Sequence, residues 1–412
     1  MEQKIDKTNF LIISLVYIGV FWSWLQYSVF ALFSYWDELL AVLSILFIIL
    51  NVDWCEIRKP NKNSIIPYHI AFIVVGLISN FLWKLTDLKT AFIDAFINLK
   101  FILVLYGIAC IFKKYDLKKY TMTIKTHVQI ISLLFFVLLV IDKIFHIYPV
   151  YERRFGIDSE QLFFAHPTFA AAAYCFLIAI YIFSLSDKVD WKDKSVILLL
   201  VILTCLTQRY KAIGAMILLI MLYFLTKYKG LGKIKYVYIG LGVLAIFLIA
   251  RKNIYFYFFS PNAILYPRGA MLNTAFKIGK DYFPLGTGFG TFGSYLSGTN
   301  YSKVYSLYGI DQVYGMTIDN IQAISDNYWP MILGQTGFLG LILQIIVWKN
   351  LFKRFNNFKR VPLYYLSSMF SLLFLLVSST SESATVNPIG VAMAIALGLI
   401  LSQENIGMEN NG

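Results

Sequence analysis

The chain has 412 residues, of which 58% are apolar and only 14% are charged, and its formal net charge is +13. A soluble domain is about half apolar and roughly a quarter charged, and a soluble chain of this length divides into domains joined by polar linkers. This sequence contains no such linker. Its composition therefore excludes an ordinary soluble protein and predicts an all-α polytopic membrane protein with a single transmembrane domain, residues 1–412.

Long apolar runs recur from one end of the chain to the other. Because an α-helix rises 1.5 Å per residue, about 20 apolar residues cross a hydrocarbon core of about 30 Å. The second and seventh runs are the shortest. Together the runs predict about twelve transmembrane helices, at residues 10–34, 38–52, 65–84, 91–112, 124–141, 161–185, 194–208, 211–227, 234–250, 329–348, 362–378 and 386–402.

Residues 251–328 differ from the rest of the chain because they contain no apolar run long enough to span a membrane. They carry several prolines, a glycine cluster and many polar residues. A loop of this length, here between the ninth and tenth spans, is uncommon and usually functional. Within it, Pro267 and the apolar spacing up to Asp281 predict a helix, since proline favours the first helical turn.

The distribution of basic residues predicts the orientation of the chain. With the N-terminus in the cytoplasm, 22 Lys and Arg residues lie in cytoplasmic segments and 7 in the short loops of the opposite side. This asymmetry follows the positive-inside rule, so we expect both termini in the cytoplasm and the large loop outside it. The basic residues are dispersed, so they indicate orientation and not nucleic-acid binding. The four histidines and four cysteines lack metal-binding spacing, so no metal site is expected.

Three of the cations on the predicted extracytoplasmic side are candidate ligands. Arg209 and Lys211 lie between the seventh and eighth spans, where they either extend to the lipid headgroups or bind an anion. Arg209 is the better anion ligand because a guanidinium matches two phosphate oxygens at once. Arg268 follows Pro267, so it lies beside a helix N-terminus, which is itself partly positive.

A glycine-rich run includes Gly286, Gly288 and Gly290. No predicted strand precedes it and no Gly-Lys-Ser/Thr ends it, so it is not a nucleotide-binding loop. It forms either tight turns that need positive φ or part of a sugar-binding loop. Ten tyrosines lie in 251–328, and each either stacks on a sugar ring or anchors the loop at the membrane interface.

Two side chains are candidates for acid–base chemistry. Asp326 lies where the large loop returns to the membrane, before Asn327 and Tyr328, and it either caps the following helix or acts as a base. His166 begins the sixth span and is either a base or an interfacial imidazole hydrogen-bonded to a neighbour.

Three further ionisable groups are weaker candidates. Glu382, between the last two spans, either contacts sugar or is simply solvated. Asp94 and Lys100 lie within the fourth span, where an ionisable group is a functional candidate. They either form an internal pair or extend toward the interface.

Four features, in this order along the chain, resemble the O-antigen polymerase and ligase superfamily of bacterial membrane glycosyltransferases. They are Arg209 at the start of a late helix, Arg268 at the start of the loop helix, the proline-glycine segment 284–292, and the segment 326–328 with the glycines of 337–340. The layout of about twelve spans with a large loop between the ninth and tenth is also similar to that family.

The resemblance implies a GT-C-like fold and a metal-independent, inverting glycosyl transfer without a cofactor, at the outer face of the bacterial cytoplasmic membrane. The donor would be a glycan on undecaprenyl diphosphate. Arg209, Arg268 and Lys211 would hold the diphosphate, while Asp326 or His166 would deprotonate the acceptor hydroxyl. The implied partners are membrane lipid, a chain-length regulator and a flippase.

One departure from the family pattern affects the expected acceptor. Ligases of the superfamily typically carry histidine where this chain has Asp326, so the sequence favours a polymerase of capsule, exopolysaccharide or O-antigen repeat units. The alternatives are a ligase that transfers the glycan to a different acceptor, and a flippase or transporter of lipid-linked sugars. Transporters usually show paired repeats and broken helices at mid-membrane, and neither is visible in this sequence.

Overall fold

The computed structural model describes residues 6–28, 31–51, 64–154, 156–186, 188–227 and 255–404, with isolated positions between 237 and 252. Regular structure in these residues is helical, apart from one antiparallel pair of two-residue strands, β1 (Arg153–Arg154) and β2 (Ile157–Asp158). The predicted ninth span, 234–250, lies largely outside the described residues.

The α-helices of the described residues follow the predicted spans closely. They are α1 (Lys7–Ser28), α2 (Trp36–Asn51), α3 (Ile66–Trp83), α4 (Leu88–Phe112), α5 (Thr121–Phe145), α6 (Pro167–Ser184), α7 (Trp191–Leu206), α8 (Tyr210–Lys227), α9 (Pro267–Asp281), α10 (Tyr295–Thr299), α11 (Lys303–Leu307), α12 (Tyr328–Asn356), α13 (Pro362–Ser378) and α14 (Pro388–Ser402). Short 3-10 helices lie at Ala31–Tyr35, Leu117–Tyr120, Ala263–Leu265 and Asn357–Arg360, and a π-helix at Tyr255–Phe259.

Eight segments of these residues are long and apolar enough to cross a membrane, namely those containing α1 to α6, α8 and α12. The helices α13 and α14 are apolar but shorter. The chain is therefore a polytopic membrane protein by helix length and hydropathy. The helix predicted within the large loop is confirmed, since α9 begins at Pro267 and ends at Asp281.

Three predicted boundaries are wrong by six residues or more, and one of them is the end of the tenth span, which was expected at 348 whereas α12 ends at Asn356. The first span was expected to reach residue 34, but α1 ends at Ser28 and a separate 3-10 turn follows at Ala31–Tyr35. The sixth was expected to begin at 161, but α6 begins at Pro167, because His166 adopts an extended backbone and Pro167 fits the first turn. Apolar residues in the flanking loops had extended both predictions.

α6 lies at the centre of the helix bundle. Every residue from Ala170 to Ser184 is buried, and the helix packs against α1, α5, α7, α13 and α14. Four consecutive alanines, Ala170 to Ala173, give its first half a small radius, which lets neighbouring helices approach closely. The helices that end in functional loops are therefore held around one rigid central element.

α12 folds back on itself at Gly337, whose φ of 64° and ψ of −166° are not helical. The ring centroids of Trp329 and Trp348 are 6.5 Å apart, whereas a straight helix would separate them by about 28 Å. A Cβ at Gly337 would lie 2.3 Å from the carbonyl oxygen of Pro284. The prediction of one straight span at 329–348 is therefore wrong, because a positive φ leaves no trace in the apolar pattern.

The glycine-rich run is packed between α3, α4 and α12. The φ angles of Gly286, Gly288 and Gly290 are 73°, 98° and 72°, which confirms the tight turns expected. The amide of Gly288 donates to the carbonyl of Gln335 at 2.7 Å, and that of Gly290 donates to Asp94 Oδ2 at 2.6 Å. The run therefore connects three helices within the interior.

The ionisable groups of α4 form separate interactions. Asp94 Oδ2 also accepts from Gln335 Nε2 at 2.8 Å, so its carboxylate joins the glycine run to α12. Lys100 Nζ lies 2.5 Å from Asp37 Oδ2 and 2.6 Å from Glu38 Oε1, at the start of α2. An internal pair between Asp94 and Lys100 is therefore wrong, because Lys100 pairs with two carboxylates of α2 and Asp94 binds the glycine run and α12.

Candidate active site

A group of charged side chains, here named the charged cluster, assembles from five separate parts of the chain. These parts are the connection before α6, the turn between α7 and α8, the first turn of α9, the end of the large loop and the connection between α13 and α14. Ion pairs and longer-range charge effects link its members. The members are Glu152, Arg154, His166, Arg209, Lys211, Arg268, Asp326 and Glu382.

Arg209 is one of the two least exposed cations of the charged cluster. Its side chain is 12% exposed, and its Nη1 atom lies 2.8 Å from Glu152 Oε1. Its guanidinium carbon lies 5.2 Å from the ring centre of Tyr151. The two remaining donor atoms, Nε and Nη2, are buried and have no hydrogen-bond partner in the described part of the chain. Burial lowers the pKa of Arg209, which Glu152 opposes, but a guanidinium stays protonated in proteins.

Glu152 is shared between two arginines. Besides its contact with Arg209, its Oε2 atom accepts from Arg154 Nε at 2.9 Å, and Arg154 in turn lies 5.1 Å over the ring of Tyr210. The strands β1 and β2 hold this segment in place. Sequence analysis missed both residues. Their one signal was a pair of arginines in a short loop that is predicted to be extracytoplasmic, where the positive-inside rule does not favour basic residues.

Lys211 and Glu382 form the second ion pair of the charged cluster. Their Nζ and Oε1 atoms are 2.6 Å apart, and their side chains are only 12% and 14% exposed. Glu382 is therefore not a merely solvated carboxylate, and that alternative is wrong. Its pairing with Lys211 fixes the connection between α13 and α14 against the start of α8.

Arg268 and Asp326 form a third, looser pair, with 3.7 Å between Nη2 and Oδ2. The guanidinium of Arg268 also lies 5.0 Å over the ring of Tyr257. The alternative that Asp326 caps α12 is wrong, because the N-cap residue of α12 is Asn327. The side chain of Asn327 makes no capping hydrogen bond. Asn327 instead donates from Nδ2 to the carbonyl of Arg268 at 3.3 Å, so the backbone of α9 holds this turn.

The other predicted site residues lie outside the charged cluster. Tyr328 is 1% exposed, and its hydroxyl accepts from Gln344 Nε2 at 2.5 Å in the helix interior. Gly286, Gly288 and Gly290 belong to the packed connector described above. In the described residues these four groups support the surroundings of the cluster and do not line it.

The environment of Asp326 suits a general base. Burial raises the pKa of its carboxyl to about 6; the charges of Arg268 and Lys211 partly oppose this shift and Glu382 adds to it. Its side chain nevertheless remains 40% exposed, so it is accessible from outside the protein. A carboxyl that titrates near neutral pH is ionised when it meets a substrate and accepts a proton readily.

His166 is placed differently. Its Nδ1 atom accepts from the backbone amide of Thr168 at 3.0 Å, as the N-cap of α6. This confirms the expected hydrogen bond to a neighbour. Burial, together with the positive charges of Arg209, Lys211 and Arg154, lowers the pKa of His166 to about 4. A neutral ring whose Nδ1 accepts must carry its proton on Nε2, so the free nitrogen is a donor and not a base.

The charged cluster as a whole carries more positive than negative charge, with four cations against three carboxylates. An anion with several oxygens fits such a set, because guanidinium and ammonium groups donate to it from different directions. One carboxylate, Asp326, combines accessibility with a pKa near neutrality. The arrangement can therefore hold a polyanionic group and remove a proton beside it.

No protein-family model matches this chain, and no curated protein is significantly similar to it in sequence. Its function is therefore inferred from the charged cluster and from the motifs described above. Among the residues that the structure describes, no three His, Cys, Asp or Glu side chains are grouped as metal ligands.

Proposed function

We propose that this protein is a membrane glycosyltransferase that polymerises oligosaccharide repeat units carried on undecaprenyl diphosphate. The observation that carries the proposal is that Arg209 has two buried donor atoms without a hydrogen-bond partner in the described residues. It belongs to a cluster that also holds Lys211 and Arg268. A diphosphate presents several charged oxygens at close spacing, and buried cations bind such a group strongly.

In the proposed reaction, Asp326 accepts the proton of an acceptor hydroxyl as its oxygen attacks the anomeric carbon of the donor. The bond between that carbon and the diphosphate oxygen breaks, and the diphosphate leaves with the electron pair. Arg209, Lys211 and Arg268 stabilise the negative charge that develops on it. Attack opposite the leaving group inverts the anomeric configuration, and Asp326 then releases its proton to solvent.

The ion pairs of the cluster are compatible with this exchange of partners. A diphosphate that binds Nε and Nη2 of Arg209 can also draw Nη1 away from Glu152. Glu152 then keeps Arg154 as its second partner at 2.9 Å. A buried carboxylate that lost its counter-charge would cost several kcal/mol. The second contact of Glu152 avoids this cost. The donor therefore enters by exchange of ionic partners, and the fold need not open.

The proposal includes a topology of about twelve spans with cytoplasmic termini and an extracytoplasmic charged cluster. The distribution of lysines and arginines among the loops supports it. The growing chain and the next repeat unit would then meet on the outer face of the bacterial cytoplasmic membrane. A ligase would share the diphosphate contacts and differ in the acceptor.

A deletion strain tests the proposal through its lipid-linked glycans, extracted and separated by size on a gel. Single repeat units on the carrier would identify polymerisation as the lost step. Full-length polymer still on the carrier would instead indicate ligation, and repeat units that remain on the cytoplasmic face would indicate transport. Either of the last two outcomes contradicts the proposal.

A further inference from the structure

An apolar groove, here named the α1 groove, lies along one side of α1. Its volume is about 310 Å³. With 3.6 residues per turn, the residues that line it form a single stripe about 12 Å long, opposite the side chains of α1 that are buried in the helix bundle. The lining residues are Tyr17, Ile18, Phe21, Trp24 and Leu25.

The aromatic side chains of the α1 groove are held in place from behind. The hydroxyl of Tyr17 lies 3.2 Å from His127 Nδ1 on α5. The ring of Phe21 stacks on that of Phe163, with 6.0 Å between their centroids, and the ring of Trp24 meets the same phenylalanine edge-on at 6.1 Å. The shape of the groove is therefore set by contacts within the protein.

A series of ring contacts leads from the end of α1 to the charged cluster. Tyr27, in the last turn of α1, stacks on Phe169 with 6.3 Å between centroids. Phe169 lies 5.9 Å from His166, which lies 4.5 Å from Tyr151. Tyr151 in turn lies below the guanidinium of Arg209. These four rings are all at least partly exposed, so they form an accessible path between the α1 groove and the cations.

The direction of the α1 groove matches that of a lipid whose head lies at the charged cluster. In the predicted orientation α1 ends on the extracytoplasmic side, and Tyr17 lies about 15 Å deeper than Tyr27. The groove therefore descends about halfway through a hydrocarbon core of about 30 Å. We propose that it holds the polyprenyl chain of the donor while the charged cluster holds the diphosphate, an inference that rests on the function proposed above.

Close packing favours a polyprenyl chain over the other lipids of the bilayer. Lipid tails are as apolar as the groove, so removal from water cannot draw a chain into it. Selection must come from many small van der Waals contacts. An isoprenoid chain carries flat double bonds and methyl branches at regular intervals, which fit against flat ring faces and into the gaps between them. A saturated acyl chain has neither feature, so a stripe with three aromatic rings selects the isoprenoid.

Binding to the purified protein in lipid nanodiscs tests the chain separately from the head. The probes are undecaprenyl diphosphate and dimethylallyl diphosphate, which carries the same head on a single isoprene unit. Ile18→Trp places a larger side chain in the α1 groove, so it should weaken binding of the long probe about tenfold and leave that of the short probe unchanged. Leu46→Trp is the matched control, because Leu46 is an apolar residue of α2 that is 53% exposed and lies outside the groove; it should change neither affinity.

Arg209→Ala distinguishes a failure of this inference from a failure of the proposed function. It should weaken binding of both probes, because both carry the diphosphate. If Arg209→Ala weakens both and Ile18→Trp weakens neither, the assignment of the groove is overturned while the diphosphate site stands. If Ile18→Trp weakens only the long probe and Arg209→Ala affects neither probe, the groove stands and the diphosphate site is wrong.

Photolabelling of the native protein decides the matter if Ile18→Trp does not fold. An undecaprenyl diphosphate with a photoreactive group on one of its inner isoprene units should label residues 17–25 of α1, as located by mass spectrometry of the peptides. Unlabelled undecaprenyl diphosphate should suppress this labelling. Labels spread over the exposed apolar residues of several helices, or labelling that the unlabelled lipid does not suppress, would overturn the proposal.

Discussion

Replacement of Arg209 is the most informative perturbation of the charged cluster. Arg209→Ala removes two buried donors that no described protein group uses, together with the contact to Glu152. The loss of one donor that faces a developing negative charge slows a reaction by about 10²–10³-fold. Two donors on one diphosphate do not act independently, so we expect a loss of about 10³-fold, or about 4 kcal/mol of transition-state stabilisation.

The structure indicates that this variant still folds. Glu152 keeps its hydrogen bond to Arg154, and the cluster retains Lys211 and Arg268 as counter-charges. Arg209→Lys keeps the positive charge but loses the planar fork, so its rate should lie between those of the alanine variant and the native protein. This order of rates would distinguish bidentate binding of the diphosphate by a guanidinium from a contribution of positive charge alone.

The assay compares initial rates of polymer formation in membranes supplied with lipid-linked repeat units, with the amount of inserted protein measured in each preparation. Arg153→Ala is the matched control, because this neighbouring arginine is 71% exposed and pairs with Asp158 on the strand ribbon. It should retain the native rate. A native rate and a native length ladder from Arg209→Ala would refute the assignment of the diphosphate site.

Three further outcomes are expected. Asp326→Asn should slow the reaction by about 10²–10⁴-fold, and the native rate should fall as pH decreases through about 6, because a protonated Asp326 accepts no proton. His166→Asn preserves an N-cap residue, so this variant should show the same decrease in rate below about pH 6. If a pH–rate profile of the variant lacked that decrease, the base would be His166. Gly337→Ala should lower Tm more than Gly309→Ala in detergent, because both glycines have φ near 65° but only Gly337 would place a Cβ against backbone; equal losses would show that φ alone matters.

Much of the fold was predictable because lipid imposes length and hydropathy on each helix. Proline at the start of a helix also fixed α9 at Pro267, and the described helices agree with the predicted spans to within a few residues at most ends. The fold-back at Gly337 was not predictable in the same way. It depends on the fit between Gly337 and the segment after Pro284, a tertiary contact between positions far apart in sequence.

Residues of the candidate site were predictable where their positive charge conflicts with the positive-inside rule. Arg209 and Lys211 were identified because cations are unexpected in extracytoplasmic turns, and Asp326 because it precedes a helix at the end of a long loop. Glu152 was missed because a glutamate in a polar loop is ordinary. Its importance comes from the arginines that the fold places on either side of it, and their proximity cannot be inferred from sequence spacing.

In the proposed reaction, the sharing of Glu152 between Arg154 and Arg209 would also affect turnover. A pocket lined only with cations would retain the free diphosphate carrier after each transfer, and product inhibition would limit the rate. Glu152 directly precedes strand β1 and lies beside Arg209, so it would compete for this arginine whenever the product loosens its hold. The carboxylate that yields to the donor at the start of a cycle would thus hasten release of the spent carrier at its end.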